Sequence, residues 1–197
     1  VYMSRLNTAA LGVLMVSLAA CSALPPKKTT PVETVAATPV KDAVTVTKAV
    51  DKFSYANFHD VKVTHLDLNL DVKFDEKVLD GVATLNITQI NPDATQLILD
   101  TKDLTIRSIE IHAGDTWREA HYTLAKDDEV LGQKLSIDLV EGADQVMIDY
   151  RTSPEAEGLQ WLSPEQTAGN KHPYLFSQAQ AIPARTLVPI RDPPAVR

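Results

Sequence analysis

The regular alternation of apolar and polar residues is the sequence feature that most restricts the fold. Leu66, Leu68, Leu70, Val72 and Phe74 occupy one phase of a single run, and a period of two is that of a β-strand with one buried face. Similar runs continue to residue 150, with turn signals at intervals of about 8–12 residues. The pattern predicts an all-β domain of antiparallel sheets, arranged as a β-sandwich or a barrel-like pair of sheets.

Two changes of phase interrupt the alternation. One falls at Thr64-His65 and the other between Ile106 and Ile109. An extra residue in a strand turns the following side chains to the other face, so each change predicts a β-bulge or a strand break. Further runs are predicted to begin at Gly81, Leu97, Ala120, Leu135 and Val146. Turns are predicted at 75–77, 91–93 and 113–115.

Composition and motifs exclude several classes of function. The 197 residues include 26 acidic and 19 basic side chains, a net charge of −7, which argues against a nucleic-acid binder. A single cysteine, Cys21, excludes a disulfide scaffold and a multi-cysteine zinc site. The five histidines form no H-E-x-x-H pattern, and neither a glycine-rich phosphate loop nor a G-x-S-x-G elbow is present. The residues alone therefore predict no complete active site.

Residues 1–21 have the arrangement of a signal peptide. Arg5 supplies a positive charge, and an apolar stretch runs from Ala9 to Ala20. The last residues, Leu18-Ala19-Ala20-Cys21, resemble the lipobox of bacterial lipoproteins, in which the cysteine is acylated. Because Ser22 follows, the resemblance favours the outer membrane, with the protein lipid-anchored on the periplasmic side. The alternative is an ordinary secretory signal followed by an unrelated cysteine.

A linker of residues 22–51 and a domain of residues 52–197 follow the signal. The linker contains four prolines and no aromatic residue, so a flexible, extended tether is predicted. From residue 153 the alternation fades, and the segment to residue 194 is rich in Pro, Gln and aromatic residues. Since the sequence stops within this segment, we expect a fragment of a longer protein.

Several side chains of this last segment have predicted structural roles. Trp161, Tyr174 and Phe176 are predicted to be packing anchors. Arg185 and Asp192 could pair to fix the loop between them, and a surface pair of this kind would contribute at most about 1 kcal/mol.

Three stretches resemble the N-terminal domain of M1-family zinc aminopeptidases, on the leukotriene A4 hydrolase branch. They run from Asp51 to Phe74, from Leu99 to Ile106 and from Thr152 to Pro194. The third is the most specific, because it is long and has an unusual composition. The branch often carries Cys, His and Cys at three positions that here are Ala179, Pro183 and Ile190. These departures favour a bacterial aminopeptidase.

The resemblance implies a saddle-like β domain that covers one side of a peptidase active site. In this family the zinc ligands and the catalytic Glu belong to a second, thermolysin-like domain, so no catalytic or metal-binding residue is expected in this segment. The implied partners are that catalytic domain with its Zn²⁺, and a peptide substrate. The implied reaction is attack of zinc-activated water on the first peptide carbonyl, with a Glu as general base.

The family's Gln-x-Gln loop, which reaches the substrate, corresponds here to residues 178–180. By position, the resemblance implies that Gln180 contacts the substrate, with Ala181 beside it and Gln178 in support. An aminopeptidase must recognise a free α-ammonium, and a Gln carbonyl is an uncharged acceptor for this donor-only group. In a closed cleft an ammonium proton without an acceptor costs about 1–3 kcal/mol, so the acceptor helps to select chain ends.

A second class of function stays open on the sequence alone. The segment could be a non-catalytic, lipid-anchored β-sandwich that acts as a binding or assembly module. A downstream H-E-x-x-H motif would support the peptidase, whereas a stop codon soon after residue 197 would support the module.

Overall fold

A computed structural model of the chain describes residues 51–192. The predicted signal peptide, with Cys21, lies outside the described residues, and so does the predicted linker except for Asp51. The described part is all β, as predicted, and contains two short 3₁₀ helices, Pro164–Gln166 and Pro183–Thr186, but no α-helix. None of its helices is long and apolar enough to cross a bilayer. Its ten strands are β1 (Val61–Lys73), β2 (Val78–Gln89), β3 (Gln96–Thr101), β4 (Thr105–Ala113), β5 (Thr116–Glu119), β6 (Tyr122–Leu124), β7 (Gln133–Asp138), β8 (Ala143–Arg151), β9 (Leu159–Leu162) and β10 (Tyr174–Ser177).

Eight of these strands form two antiparallel sheets that share one core. The larger sheet has the order β1-β2-β8-β4-β5, and the smaller has the order β3-β7-β6. Side chains of both sheets belong to one buried apolar cluster, which is the β-sandwich arrangement. Burial of each such side chain contributes about 1.5–3 kcal/mol. The most buried members include Leu85, Ile109, Ile111, Val146 and Ile148 from the larger sheet and Leu97, Leu99, Leu135 and Ile137 from the smaller.

Of the three shifts of register in the described strands, two fall where the alternation changes phase, and the third, between His112 and Ala113, does not. The pairing of β1 with β2 shifts register between Val63 and His65. The pairing of β4 with β8 shifts between Ile106 and Ser108. The predicted turn at 75–77 joins β1 to β2. Both predicted phase changes are therefore confirmed as irregularities in continuous strands, not as strand breaks.

The second strand begins three residues earlier than the alternation predicts. Val78 is fully buried and pairs with Lys73, so β2 is already formed before Gly81. At Gly81 an added Cβ would lie 2.2 Å from the carbonyl oxygen of Asn69 in β1. A side chain would therefore collide with the neighbouring backbone, and Gly81 marks a close approach within the strand.

The chain passes from the larger to the smaller sheet between β5 and β6. The alternation at Ala120, Tyr122 and Leu124 predicts one strand, but only residues 122–124 form β6. Ala120 is buried, and its N–H donates to the Ile109 carbonyl of the larger sheet (2.8 Å). Tyr122 already pairs with Ile137 of the smaller sheet. The alternation did not predict β5, because all four of its side chains are exposed.

The far end of β1 is less covered than its alternation predicts. Leu68, Val72 and Phe74 are 49%, 44% and 38% exposed, and of the β1 side chains only Val61 is a buried member of the cluster. Alternation specifies which side chains share a face, but not whether another layer covers that face. A separate ribbon of β9 and β10 reaches this end, where Trp161 meets the Phe74 ring edge-to-face at 5.6 Å.

Leu85→Ala should lower the free energy of unfolding by about 2–5 kcal/mol, because it leaves a cavity in the sandwich core at a fully buried site. Leu68→Ala is the matched control, since Leu68 is about half exposed and its truncation should cost about 1 kcal/mol or less. Urea denaturation followed by tryptophan fluorescence measures both losses. Equal losses for the two variants would contradict this assignment of the core.

Candidate functional site

The candidate site is a loop that follows β10, and we call residues 178–182 the glutamine loop. The Gln178 N–H donates to the Gly158 carbonyl (2.9 Å), which continues the β9–β10 pairing by one residue. Gln178, Ala179, Gln180 and Ala181 are all exposed, and the peptide bond from Gln180 to Ala181 is cis. All three residues that the resemblance singled out therefore lie together at the surface.

Both glutamine side chains of the loop have free hydrogen-bonding groups. Within residues 51–192, neither the Gln178 nor the Gln180 side-chain amide makes a hydrogen bond or ion pair. Each amide offers a carbonyl acceptor and an NH₂ donor. The loop can therefore present two uncharged acceptors to a ligand without first breaking bonds within the domain.

A buried arginine anchors the segment that follows the glutamine loop. Arg185 is fully buried, and its Nε donates to the Ile182 carbonyl (3.1 Å) and to Asp192 Oδ2 (3.2 Å). One terminal nitrogen donates to the Leu131 carbonyl (2.7 Å). The other donates to the carbonyls of Phe53 and Asp192, both at 2.7 Å. A guanidinium buried in this way is stable because its N–H groups find acceptors.

Asp100 adds a second buried carboxylate to this anchor. It accepts hydrogen bonds from the Ser54 hydroxyl (2.6 Å) and from the N–H groups of Tyr55 (2.7 Å) and Asp192 (2.9 Å). Its Oδ2 lies 4.0 Å from an Arg185 terminal nitrogen, and both side chains are fully buried. Asp100 thus joins the start of the domain to its last described residue.

The predicted pair of Arg185 and Asp192 is formed, but it is buried and not on the surface. Asp192 is 7% exposed. Burial raises the pKa of the Asp192 carboxyl above its ordinary value, and hydrogen bonds from Arg185 oppose this rise. The surface-pair energy does not apply here, because removing one partner of a buried pair costs about 3–5 kcal/mol.

Residues 183–187 have further attachments to the rest of the domain. The Arg185 carbonyl accepts from the Lys102 N–H (2.9 Å), and the Thr186 hydroxyl accepts from the Gly158 N–H (3.1 Å). The Tyr150 hydroxyl of β8 donates to the Leu187 carbonyl (2.8 Å). Burial raises the pKa of Tyr150 above its ordinary value, so the hydroxyl keeps its proton at neutral pH.

The predicted packing anchors differ in where they lie. Trp161 is partly buried against Phe74, whereas Tyr174 and Phe176 are 57% and 44% exposed. The β9–β10 register puts Tyr174 opposite Leu162, on the face that also carries Phe176. Neither Tyr174 nor Phe176 belongs to the buried apolar cluster or to the side chains packed against it, so within the described residues they do not anchor the sandwich core.

The described part of the chain offers no metal site. Within residues 51–192, no group of three or more His, Cys, Asp or Glu side chains is placed to hold a metal ion. His112 and His121 each contact one aspartate, Asp144 and Asp138 respectively, and one histidine with one carboxylate is too few ligands for zinc.

Comparison with known families decides what this domain is. Residues 62–197 match the family model of the peptidase M1 N-terminal domain. The chain belongs to this family. Leucine aminopeptidase 2-2 of Scheffersomyces stipitis is 36% identical over 154 residues, which cover 77% of this chain and 24% of that protein. Leukotriene A-4 hydrolase of Xenopus laevis is 36% identical over 152 residues, which cover 75% and 24%.

Solved structures agree with this assignment of an M1 N-terminal domain. Yeast LTA4 hydrolase in complex with bestatin superposes with a TM-score of 0.68 at 33% identity, covering 77% of this chain and 24% of that one. Native leukotriene A4 hydrolase from Saccharomyces cerevisiae gives a TM-score of 0.68 at 32% identity, with the same coverage. The chain thus spans about a quarter of the length of the relatives it matches.

Asp100 belongs to the buried anchor around Arg185, and the sequence analysis did not identify it. It ends the apolar run Leu97-Ile98-Leu99, where a carboxylate in a buried strand costs several kcal/mol unless it is paired. A buried carboxylate therefore needs a hydrogen-bond donor or a cation from elsewhere in the chain. That signal could have linked Asp100 to Arg185, although the alternation by itself names no partner.

Tyr150→Phe should lower the free energy of unfolding by about 1–3 kcal/mol, because the Leu187 carbonyl would lose the donor that it has in the described structure. Tyr122→Phe is the control, since Tyr122 packs on the same core but its hydroxyl makes no hydrogen bond within residues 51–192. Chemical denaturation of both variants tests this. A loss no larger for Tyr150→Phe than for Tyr122→Phe would show that this bond does not stabilise the segment at Leu187.

Proposed function

We propose that this M1 N-terminal domain forms one side of the substrate cleft of a zinc aminopeptidase that removes N-terminal amino acids from peptides. Relatives that share the domain are named leucine aminopeptidase and leukotriene A-4 hydrolase. In this proposal the chain described here supplies no catalytic group, and the catalytic domain lies in further sequence. The zinc ligands belong there too, because the described residues do not fit a zinc site.

The observation that carries the proposal is the state of Gln180. Its side-chain amide is exposed and, within residues 51–192, bonded to nothing, while the loop around it is bonded at both ends, to Gly158 and to Arg185. An α-ammonium group has only donors, so it needs acceptors such as this carbonyl oxygen. An acceptor without charge also avoids the cost of removing a carboxylate from water when the cleft closes. Gln178 supports Gln180 from the start of the loop, and Ala181 leaves space beside it.

Gln180→Leu in the full-length protein should lower kcat/KM for peptides by about ten- to a hundred-fold, because one hydrogen bond to a charged group is lost. Zinc content should be unchanged, since no metal ligand is altered. Gln145→Leu is the control, because it makes the same change at a glutamine outside the loop. Gln145 bonds to Asn86 and lies at the opposite end of β8 from Tyr150, which contacts the segment after the glutamine loop. The assay is release of a chromogenic amine from an aminoacyl anilide.

Two results would contradict the proposal. Unchanged kinetics for Gln180→Leu would remove Gln180 from the site. Hydrolysis of the anilide by the purified 197-residue chain with added zinc would show that the chain itself contains the catalytic groups.

A second candidate function is a non-catalytic, lipid-anchored binding or assembly module. The exposed Tyr174 and Phe176 favour an interaction surface on the β9–β10 ribbon, because aromatic side chains are enriched at protein interfaces. In the aminopeptidase proposal the same face is covered by the catalytic domain. An H-E-x-x-H motif encoded downstream of residue 197 supports the peptidase, and a stop codon soon after it supports the module.

We also propose that the protein is held on the periplasmic side of a bacterial outer membrane by acyl chains on Cys21. The support is the sequence of residues 1–22, which has a short apolar stretch ending in Leu-Ala-Ala-Cys-Ser. Each buried CH₂ of an acyl chain contributes about 0.8 kcal/mol to membrane binding, so two or more chains give a stable anchor.

Cys21→Ser should move the full-length protein from the membrane pellet to the soluble fraction, because serine cannot be acylated at the lipobox position. Fractionation of cells and immunoblotting of the two fractions measure the change. Ser22→Ala is the control, since it keeps Cys21 and should leave the protein in the pellet. Persistence of Cys21→Ser in the pellet would refute acylation at this position.

A further inference from the structure

We propose that the buried cluster of Asp100, Arg185 and Asp192 is a positioning device for Gln180, and that Arg185 acts on substrate binding through the glutamine loop. This inference rests on the proposed function. It assigns a role to residues that touch no substrate and that the resemblance did not single out.

The glutamine loop is held at both ends, and Arg185 of the cluster holds one of them. Gln180 lies midway between two fixed points. On one side, the Gln178 N–H is bonded to the Gly158 carbonyl (2.9 Å). On the other side, the Ile182 carbonyl is bonded to Arg185 Nε (3.1 Å). Only three residues separate these points, so the direction in which Gln180 leaves the surface depends on both bonds.

Arg185 connects the glutamine loop to several other segments of the domain. Its guanidinium bonds carbonyls of Phe53 near the start of the domain, Leu131 before β7, and Asp192 at the last described position, besides Ile182. These groups approach from several directions around one planar cation. A planar fork with five N–H donors suits such an array, whereas the ammonium of a lysine offers three donors at one point. One side chain therefore connects the glutamine loop to three other segments of the domain.

The charges of the cluster are not needed for the stability of the domain. The cluster holds one cation and two carboxylates, all 8% exposed or less at the side chain. Well-packed apolar side chains in place of a buried ionic cluster are often neutral or stabilising, by about 1–4 kcal/mol. Stability alone therefore does not account for this choice of residues. Directional bonds that fix the place of a neighbouring loop do account for it.

The test uses Arg185→Lys in the full-length protein, compared with Gln180→Leu. A positioning role predicts that KM for an aminoacyl anilide rises about five-fold or more at unchanged kcat, because ground-state and transition-state contacts of the amino group are lost together. A role in folding alone predicts the opposite, a lower apparent kcat at unchanged KM, since fewer molecules are active. Arg107→Lys is the control, as Arg107 bonds Asp80 and Asp149 on a partly exposed face and its KM should not change.

The double variant with both Gln180→Leu and Arg185→Lys separates the two proposals. If Arg185 acts through Gln180, the double variant has the KM of Gln180→Leu alone, whereas independent effects would multiply. A normal kcat/KM for Gln180→Leu would overturn the proposed function. A raised KM for Gln180→Leu together with a normal KM for Arg185→Lys would overturn only the positioning role.

A milder variant covers the case in which Arg185→Lys does not fold. Asp192→Asn keeps the shape of the side chain and its carbonyl acceptor while removing the charge. We expect a smaller rise in KM of the same kind, about two- to five-fold. A normal KM in folded Asp192→Asn, or failure of both variants to fold, would assign the cluster to the fold alone and overturn the inference.

Discussion

A guanidinium group is stable inside a protein only when acceptors surround its N–H groups, and this constraint organises the last third of the domain. Arg185 meets it with carbonyls and a carboxylate from segments that are far apart in sequence. The segment after β10 has little regular structure of its own and contributes few members to the apolar core. Its conformation is therefore set mainly by polar contacts around one buried cation.

The sandwich supplies the rigid frame for those contacts. Its two sheets form a core whose central side chains are nearly inaccessible to water. From this frame Tyr150 and Lys102 reach the segment around Arg185 with one hydrogen bond each, and Asp100 at the end of β3 adds a carboxylate. The M1 N-terminal domain thus combines an apolar scaffold with a polar attachment for the loop that carries Gln180.

Much of the scaffold could be predicted from the sequence, because alternation is a local property. The register shifts near His65 and Ser108 follow from phase changes that are visible in the sequence. The exposure of Leu68 could not be predicted, since it depends on whether a distant layer covers that position. The apolar run before Asp100 indicates that this carboxylate is buried, but it does not name the groups that pair with it. Gln178 and Gln180 became candidates only through the family resemblance. The pairing of Arg185 with Asp192 was predicted, but its burial depends on Phe53 and Leu131, which the local sequence does not name.

The two attachments of the glutamine loop restrict its evolution in a particular way. Residues 178 and 182 are each hydrogen-bonded to a fixed backbone or side-chain group, and the three residues between them are exposed. An inserted residue would have to bulge out and carry Gln180 with it, whereas a changed side chain at Ala179 would disturb neither bond. Natural variants of this loop should therefore keep its length and Gln180, and differ at Ala179.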